Sequence, residues 1–535
     1  MKLKLLLKKK EESKIDETPE TEVEDEKEIN EKIFKNFALI SEKGFEVPEG
    51  LTQIDSYPVY GKYVFGSVHI LSNETENENF YHINEPFLSS SESEIVKDVL
   101  GKLEYTPVLK EKEKSKEDAL KEKVDKILRD FRIELNESEY YKILYYVMRN
   151  TILYEKITPL MYDPYIEDIS CNGYHKPVYI FHRQYMNLKT NLKFDDKDAL
   201  DRFVIKLAQQ CGKHISIAEP MVDATMPDGS RIQMTLGKEV TDHGSTFTIR
   251  KFRKEPITPV NLIKWGTFSA EQMAYLWLCI ENKKSLIFAG GTASGKTTST
   301  NAVALFIPRK SKIVTIEDTR ELVLPHKNWI PGVTRASFTE AGRSIEMYDL
   351  LKAALRQRPE YIIVGEVRGR EALTLFQAMS TGHTTYSTLH ADTVNGVIHR
   401  LENPPINVPR PMIEALDIIS IQSQIYVGDK RLRRNVEIAE ITDLDPHTKM
   451  LRTSTIFTYD SVKDRHTMIG SSSALEEIKK SRGWSYSDLQ RELDRRKRVL
   501  EYMAQNDITS FKEVSSIIYA YQSHPERAIE MLGIN

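Results

Sequence analysis

The 535-residue sequence has few cysteines, no long apolar run and little net charge. Its three cysteines, Cys171, Cys211 and Cys279, are far apart and form neither a CxxC pair nor an even disulfide framework. We therefore expect them to be reduced core residues of a cytoplasmic protein. No apolar run approaches the roughly 20 residues that span a bilayer, so any membrane role is expected to be peripheral. The net charge of −4 argues against a nucleic-acid binder.

Composition changes along the chain and predicts several segments. Residues 1–32 are nearly all charged or polar and are predicted to be a disordered tail. The lysine-rich start of this tail favours a solvated segment over a lipid contact. Two prolines, Pro256 and Pro259, indicate a linker that would let two domains move. The predicted segments after the tail are a small α+β domain (33–112), a helical segment (113–160), an α/β domain that caps nucleotide (161–253), a hinge linker (254–262), a RecA-like ATPase domain (263–470) and a helical region (471–535).

The residues after the linker alternate between apolar strands and helices. Continuous apolar strands such as SLIFAG, KIVTIED and YIIVGE, joined by helices, are typical of a parallel sheet covered on both faces. The predicted fold class is therefore α/β: a C-terminal RecA-like domain with a mostly parallel sheet, preceded by N-terminal α+β domains.

A phosphate-binding loop lies between the first of these strands and a helix. Residues 290–297 read GGTASGKT, in which glycines let backbone N–H groups approach a nucleotide triphosphate. Lys296 is predicted to reach the β and γ phosphates, and Thr297 to bind Mg²⁺. The residues expected to bind ATP are Gly290, Gly291, Thr292, Ala293, Ser294, Gly295, Lys296, Thr297 and Thr298.

Acidic residues follow two of the predicted strands. YIIVGE delivers Glu366 to the carboxyl end of its strand, where it is predicted to hold the metal, with Gly365 in place of the usual Asp. After IVTI, Glu317 is the preferred general base and Glu321 the second choice, and the sequence does not separate them. A solvated acidic turn that caps a helix is the alternative interpretation of this segment.

Histidines and arginines complete the candidate chemistry. His383 and His390 lie near a strand edge, where they either sense the γ phosphate or are structural. Arginine stabilises phosphoryl transfer, although any single arginine is more often a surface ion pair. The hairpin arginines Arg431, Arg433 and Arg434 are predicted to be solvated. The arginines with candidate catalytic positions are Arg231, Arg250, Arg253, Arg356, Arg358, Arg368 and Arg370.

Four segments occur in an order that resembles the ATPases of the type II secretion, type IV pilus and type IV secretion superfamily. They are GGTASGKT, TIEDTREL, RQRPEYIIVGEVRGREA and STGHTTYSTLHADT. In that superfamily they are called Walker A, Asp box, Walker B and His box. The resemblance covers roughly residues 160–445 and is strongest to archaeal members, above all archaellum motor ATPases. The two CxxC pairs of some bacterial members are missing.

The resemblance implies residue roles and partners. Glu317 would take the Asp-box role, Glu366 the Walker B role, and His383 and His390 the His-box role. Arg231 and Arg250 match arginines that reach nucleotide from the N-terminal half. The family implies a homo-hexamer on the inner face of the cytoplasmic membrane, bound to a polytopic platform protein and accessory motor proteins.

The function expected from this resemblance is an ATP-driven motor that assembles, and rotates, an archaellum or pilus-like filament. The alternatives are a pilus-assembly or type II-like secretion ATPase, a DNA-translocating RecA-fold ATPase and a scaffold that binds nucleotide without hydrolysis.

Overall fold

The computed structural model describes residue 35 and residues 45–73, 78–104, 115–253, 255–335, 344–427, 430–445, 447 and 450–534. The predicted tail, residues 1–32, lies outside the described residues. The chain forms two compact units, 1–252 and 253–535, whose boundary falls at the start of the predicted linker.

The first unit is built on a nine-stranded sheet with the order β1-β2-β3-β6-β5-β4-β9-β8-β7. A parallel pairing of β3 with β6, with Phe80 opposite Lys189, joins segments that the sequence predicts as separate domains, 33–112 and 161–253. Pairing between segments this far apart has no local signal in the sequence, so the sequence predicts the two segments as independent domains. The strands are β1 (Thr52–Gly61), β2 (Val64–Asn73), β3 (Glu78–Asn84), β4 (Ile166–Cys171), β5 (Pro177–His182), β6 (Met186–Lys193), β7 (Met221–Thr225), β8 (Arg231–Thr235) and β9 (Thr246–Arg250).

The described residues of the first unit form five α-helices. Asn136 caps one of them through a capping box with Glu139. A turn at Gly229 joins β7 to β8. The helices are α1 (Ser90–Glu104), α2 (Lys116–Asp130), α3 (Glu137–Thr151), α4 (Thr158–Tyr162) and α5 (Lys197–Gln210).

The second unit also contains a nine-stranded sheet, with the order β12-β11-β13-β14-β10-β15-β16-β17-β18. The pairings from β12 to β15 are parallel, and those from β15 to β18 are antiparallel. The strands are β10 (Leu286–Gly290), β11 (Ile313–Glu317), β12 (Trp329–Val333), β13 (Tyr361–Val364), β14 (Thr384–Leu389), β15 (Ile418–Val427), β16 (Lys430–Leu444), β17 (Leu451–Asp460) and β18 (Arg465–Met468).

Helices cover both faces of this second sheet, as predicted. Along β10, Leu286 and Phe288 join one apolar core while Ile287 and Ala289 join another, because successive side chains point to opposite faces. The helices of the unit are α6 (Pro259–Lys264), α7 (Ala270–Glu281), α8 (Lys296–Val303), α9 (Met347–Arg356), α10 (Glu371–Ser380), α11 (Val394–Glu402), α12 (Arg410–Ile413), α13 (Ser473–Arg482), α14 (Tyr486–Gln505), α15 (Phe511–Ser523) and α16 (Pro525–Leu532).

The helices α13 to α16 lie in the region from residue 471 onward that is predicted to be helical. The apolar stripe of α15, including Val514 and Ile518, is buried. Ser510 precedes α15, but its side chain makes no capping hydrogen bond. Within the described residues, none of the helices has both the length and the apolar composition that crossing a membrane requires.

Candidate nucleotide-binding site

The loop 290–297 connects the fully buried strand β10 to the helix α8. Gly290 has a φ of +152°, and a Cβ there would lie 2.1 Å from the carbonyl oxygen of Gln422 on β15, so only glycine fits. Gly295, with a φ of +94°, begins α8 and turns its first backbone N–H groups toward the loop. The N-terminus of a helix behind a glycine-rich loop is a ready anion-binding site.

Lys296 is buried beneath this loop. Its Nζ donates hydrogen bonds to the carbonyl oxygens of Gly290 and Gly291, at 2.9 and 2.7 Å. Ser294 is also buried, and its Oγ donates to the Gly291 carbonyl at 2.9 Å. The side chains of Thr297 and Thr298 are partly buried on the first turn of α8. Thr292 and Ala293 form the exposed tip of the loop.

Glu317 ends β11, and its side chain is only 2% exposed. Its Oε1 accepts hydrogen bonds from the backbone N–H groups of Glu321 and Leu322, both at 2.9 Å. Its Oε2 is buried without a hydrogen-bond partner among the described residues. Burial raises the pKa of this carboxyl to about 7, even though the two N–H donors act in the opposite direction. Glu317 is therefore poised to exchange a proton near neutral pH.

Gly365, the residue before Glu366, lies against the Glu317 side chain. A Cβ at Gly365 would lie 3.3 Å from Glu317 Cγ. The space that an aspartate would need is thus limited by a carboxylate from the neighbouring strand. This packing gives a physical reason for the glycine in the Walker B segment.

Glu366 follows β13 and forms a two-point ion pair with Arg368. The Arg368 Nε and Nη2 atoms donate to its two carboxylate oxygens, at 2.8 and 2.6 Å. His390 Nε2 lies 3.4 Å from Glu366 Oε1. Burial alone would raise the pKa of Glu366, but Arg368, His390 and Lys296 outweigh burial and lower it. Glu366 is therefore a carboxylate at neutral pH.

The two histidines lie at opposite ends of β14. His390 follows the carboxyl end, beside Glu366, and burial together with the Lys296 cation lowers its pKa. His383 precedes the amino end, where the Thr381 hydroxyl lies 3.3 Å from its Nδ1. A strand of six residues separates them by about 20 Å. His383 therefore does not join the cluster around Lys296 in this chain.

The segment after Glu317 is not a helix cap. Residues 318–328 are irregular and lead into β12, so the alternative of an acidic turn that caps a helix is wrong. Glu321 is partly buried and contacts Glu317 through its backbone N–H. Glu317 is therefore the better placed of the two candidate bases.

Arg231 and Arg250 lie in the first unit. They are opposite each other on the antiparallel strands β8 and β9, and both are exposed. Arg250 is also opposite Asp168 on β4. The two arginines thus lie side by side where β8 begins and β9 ends.

The hairpin of β15 and β16 differs from its sequence-based prediction. Arg434, predicted to be solvated, is buried and pairs with Asp464 at 2.8 and 3.0 Å. Arg433 is exposed as expected, yet its Nε donates to the carbonyl oxygen of Ala293 in the phosphate-binding loop, at 3.0 Å. Gln424 Nε2 donates to the same oxygen at 2.6 Å. Nothing in the sequence marks these contacts, since they join residues more than 130 positions apart.

The oxygen donors of the site suit Mg²⁺. The Thr297 hydroxyl and the ionised Glu366 carboxylate offer the hard oxygen ligands that this ion prefers. The residues present therefore fit a magnesium ion bound with a nucleotide.

Comparison with known proteins places the chain in a family. Residues 155–447 match the family described as Type II/IV secretion system protein, and residues 465–532 match the family described as PilB3-like, C-terminal. The uncharacterized protein MJ0900 of Methanocaldococcus jannaschii is 41% identical over 396 residues, which are 73% of this chain and 72% of that protein.

More distant similarities extend to bacteria. The type IV secretion system protein PtlH of Bordetella pertussis is 30% identical over 277 residues, covering 45% of this chain and 80% of that protein. The solved structure of the ATPase DotB of Yersinia pseudotuberculosis is 14% identical and covers 70% of this chain and 93% of that one, with a TM-score of 0.41. On its matched residues and its relatives, the chain belongs to the Type II/IV secretion system protein family.

Proposed function

We propose that this protein hydrolyses ATP and works as a hexameric motor for a filament or secretion machine at the cytoplasmic membrane. The observation that carries the proposal is the carboxyl edge of the second sheet, where Glu366 and His390 lie near the Lys296 cation of the phosphate-binding loop and Glu317 packs against Gly365. Carboxyl ends of parallel strands are where α/β proteins bind ligands.

The residues divide the chemistry between them. The loop N–H groups and Lys296 bind the phosphates, and Glu317 accepts the proton of the attacking water at Oε2. Two backbone N–H groups orient the Glu317 carboxylate, and its pKa of about 7 matches the demands of a base at neutral pH. His390, whose lowered pKa keeps it neutral, would hydrogen-bond the transferred phosphoryl group. A bound Mg²⁺, held by Thr297 and Glu366, would neutralise charge on the phosphates.

The machine that the motor drives is a finer part of the proposal. The resemblance of the nucleotide-binding segments favours an archaellum motor, whereas the PilB3-like C-terminal match and the similarity to a type IV secretion system protein favour a pilus or secretion motor. Rotation of the two units about residues 254–262 would convert hydrolysis into movement. Arg231 and Arg250 would approach nucleotide from the first unit, and the partners would be a polytopic platform protein and accessory motor proteins.

The test is ATPase activity against protein concentration, with light scattering to follow the oligomeric state. We expect specific activity to rise as hexamers form, Lys296→Ala to abolish turnover, and Glu366→Gln to bind ATP but hydrolyse it slowly. Native turnover by the Glu366→Gln variant would contradict the assigned role. Deletion strains then distinguish the machines, because a strain that swims normally but lacks pili or secretion excludes the archaellum.

A further inference from the structure

One carbonyl oxygen of the phosphate-binding loop is held from outside the loop by two side chains. The Ala293 oxygen accepts from Gln424 Nε2 at 2.6 Å and from Arg433 Nε at 3.0 Å. Gln424 and Arg433 are directly opposite each other on β15 and β16. The two donors therefore come from paired strands, and β15 also pairs with β10, the strand that enters the loop.

Ala293 has the kind of backbone conformation that needs such support. Its φ is +58°, in the left-handed region that residues with a Cβ rarely adopt. A residue persists there only when its surroundings fix it. The two hydrogen bonds to its carbonyl supply that constraint.

The constraint also sets the direction of the next N–H group. In a planar trans peptide the C=O and the following N–H point in opposite directions. Holding the Ala293 oxygen against the hairpin thus turns the Ser294 N–H away from the hairpin. The Ser294 side chain meanwhile bonds the Gly291 carbonyl across the loop, at 2.9 Å.

Arg433 also packs on the start of α8. Its Cδ lies 3.5 Å from the position that a Cβ on Gly295 would occupy. Its guanidinium group therefore adds positive charge beside a helix N-terminus that already favours anions.

We propose that Gln424 and Arg433 are positioning residues that pre-organise the loop for a nucleoside di- or triphosphate. They fix the Ala293–Ser294 peptide so that its N–H is available to phosphate before the nucleotide arrives. The proposal rests on the proposed nucleotide binding, and it adds two residues that the recognised motifs do not contain.

The test compares nucleotide affinity in matched variants of the full chain. Gln424→Ala and Arg433→Ala should each weaken binding of a fluorescent ADP analogue by roughly three- to tenfold, the range expected for loss of one hydrogen bond. Arg433→Lys, which keeps a donor and a charge, should recover most of the affinity. The matched control is Arg431→Ala, since Arg431 is exposed on the same strand opposite Tyr426, and it should bind like the wild type.

Kinetics separate positioning from mere stability. We expect the KM for ATP to rise in both variants while kcat stays within about twofold, because Lys296 and Glu317 are untouched. Thermal unfolding followed by tryptophan fluorescence checks that each variant is folded. Affinities within twofold of the wild type in folded Gln424→Ala and Arg433→Ala would overturn the proposal. Failure of the wild type to bind the ADP analogue would instead refute the proposed function.

Discussion

Glu317→Gln tests whether the burial that raises the pKa of this carboxyl also lowers the stability of the folded state. Burial raises the pKa of Glu317 from 4.5 to about 7. Between these values the folded state keeps a proton that the unfolded state loses, so stability falls as the pH rises through this window. At 1.36 kcal/mol per pKa unit, the cost above pH 7 is about 3 kcal/mol. Glutamine does not titrate and escapes this cost.

The assay is thermal unfolding of wild type and variant at pH 5 and pH 8, without nucleotide. All four tryptophans lie in residues 253–535, so tryptophan fluorescence reports on the unit that holds Glu317. Relative to the wild type, the Tm of Glu317→Gln should be higher at pH 8 than at pH 5 by about 5–10 °C, since about 2.5 kcal/mol of the cost arises between these pH values and each kcal/mol corresponds to about 2–4 °C in a unit of this size. Because the variant is compared with the wild type at both pH values, any pH-independent cost of burying the glutamine amide cancels.

Glu366→Gln is the control, because its Tm relative to the wild type should be lower at pH 8 than at pH 5. The pKa of Glu366 is lowered, so its carboxylate stabilises the folded state at high pH. An equal Tm difference between Glu317→Gln and wild type at both pH values would refute the burial argument. The Glu317→Gln variant should also lose ATP hydrolysis, whereas Glu321→Gln should keep it. In the wild type, kcat/KM should rise with pH through about 7 as Glu317 loses its proton.

The remaining predictions concern the histidines and the loop. His390→Ala should slow ATP hydrolysis by at least about tenfold, because His390 lies beside Glu366, while His383→Ala should change single-turnover hydrolysis less than twofold. Equal losses in the two variants would show that His383 acts on the nucleotide after all. Gly290→Ala should abolish binding of the ADP analogue, since its Cβ would clash with the Gln422 carbonyl. Binding of normal affinity by that variant would mean that β10 and β15 can move apart.

The sequence predicts the parts of the site that lie in short contiguous segments. The loop 290–297 is local, so its glycines, Lys296 and flanking elements follow from spacing alone. The strands that end in Glu317 and Glu366 are continuous apolar runs, so their carboxyl ends are predictable as well.

Features made by pairing of distant segments were not predictable. His383 and His390 belong to one motif, yet the length of β14 separates them. The strand β12 contains Pro331 and Gly332, residues that are more typical of turns than of strands. Its position at the edge of the sheet is one at which a strand tolerates proline. The contacts of Arg433 and Gln424 depend on the register of β15 with β16, which periodicity does not fix.

The antiparallel extension of the second sheet gives the phosphate-binding loop a mechanical connection. Four successive strand pairings lead from β10 to β18, a distance of about 19 Å at 4.8 Å per step. Backbone hydrogen bonds continue through all of them, and β18 is followed directly by the C-terminal helices. A sheet joined in this way resists bending. A displacement of the loop would therefore be transmitted through paired strands toward the C-terminal helices.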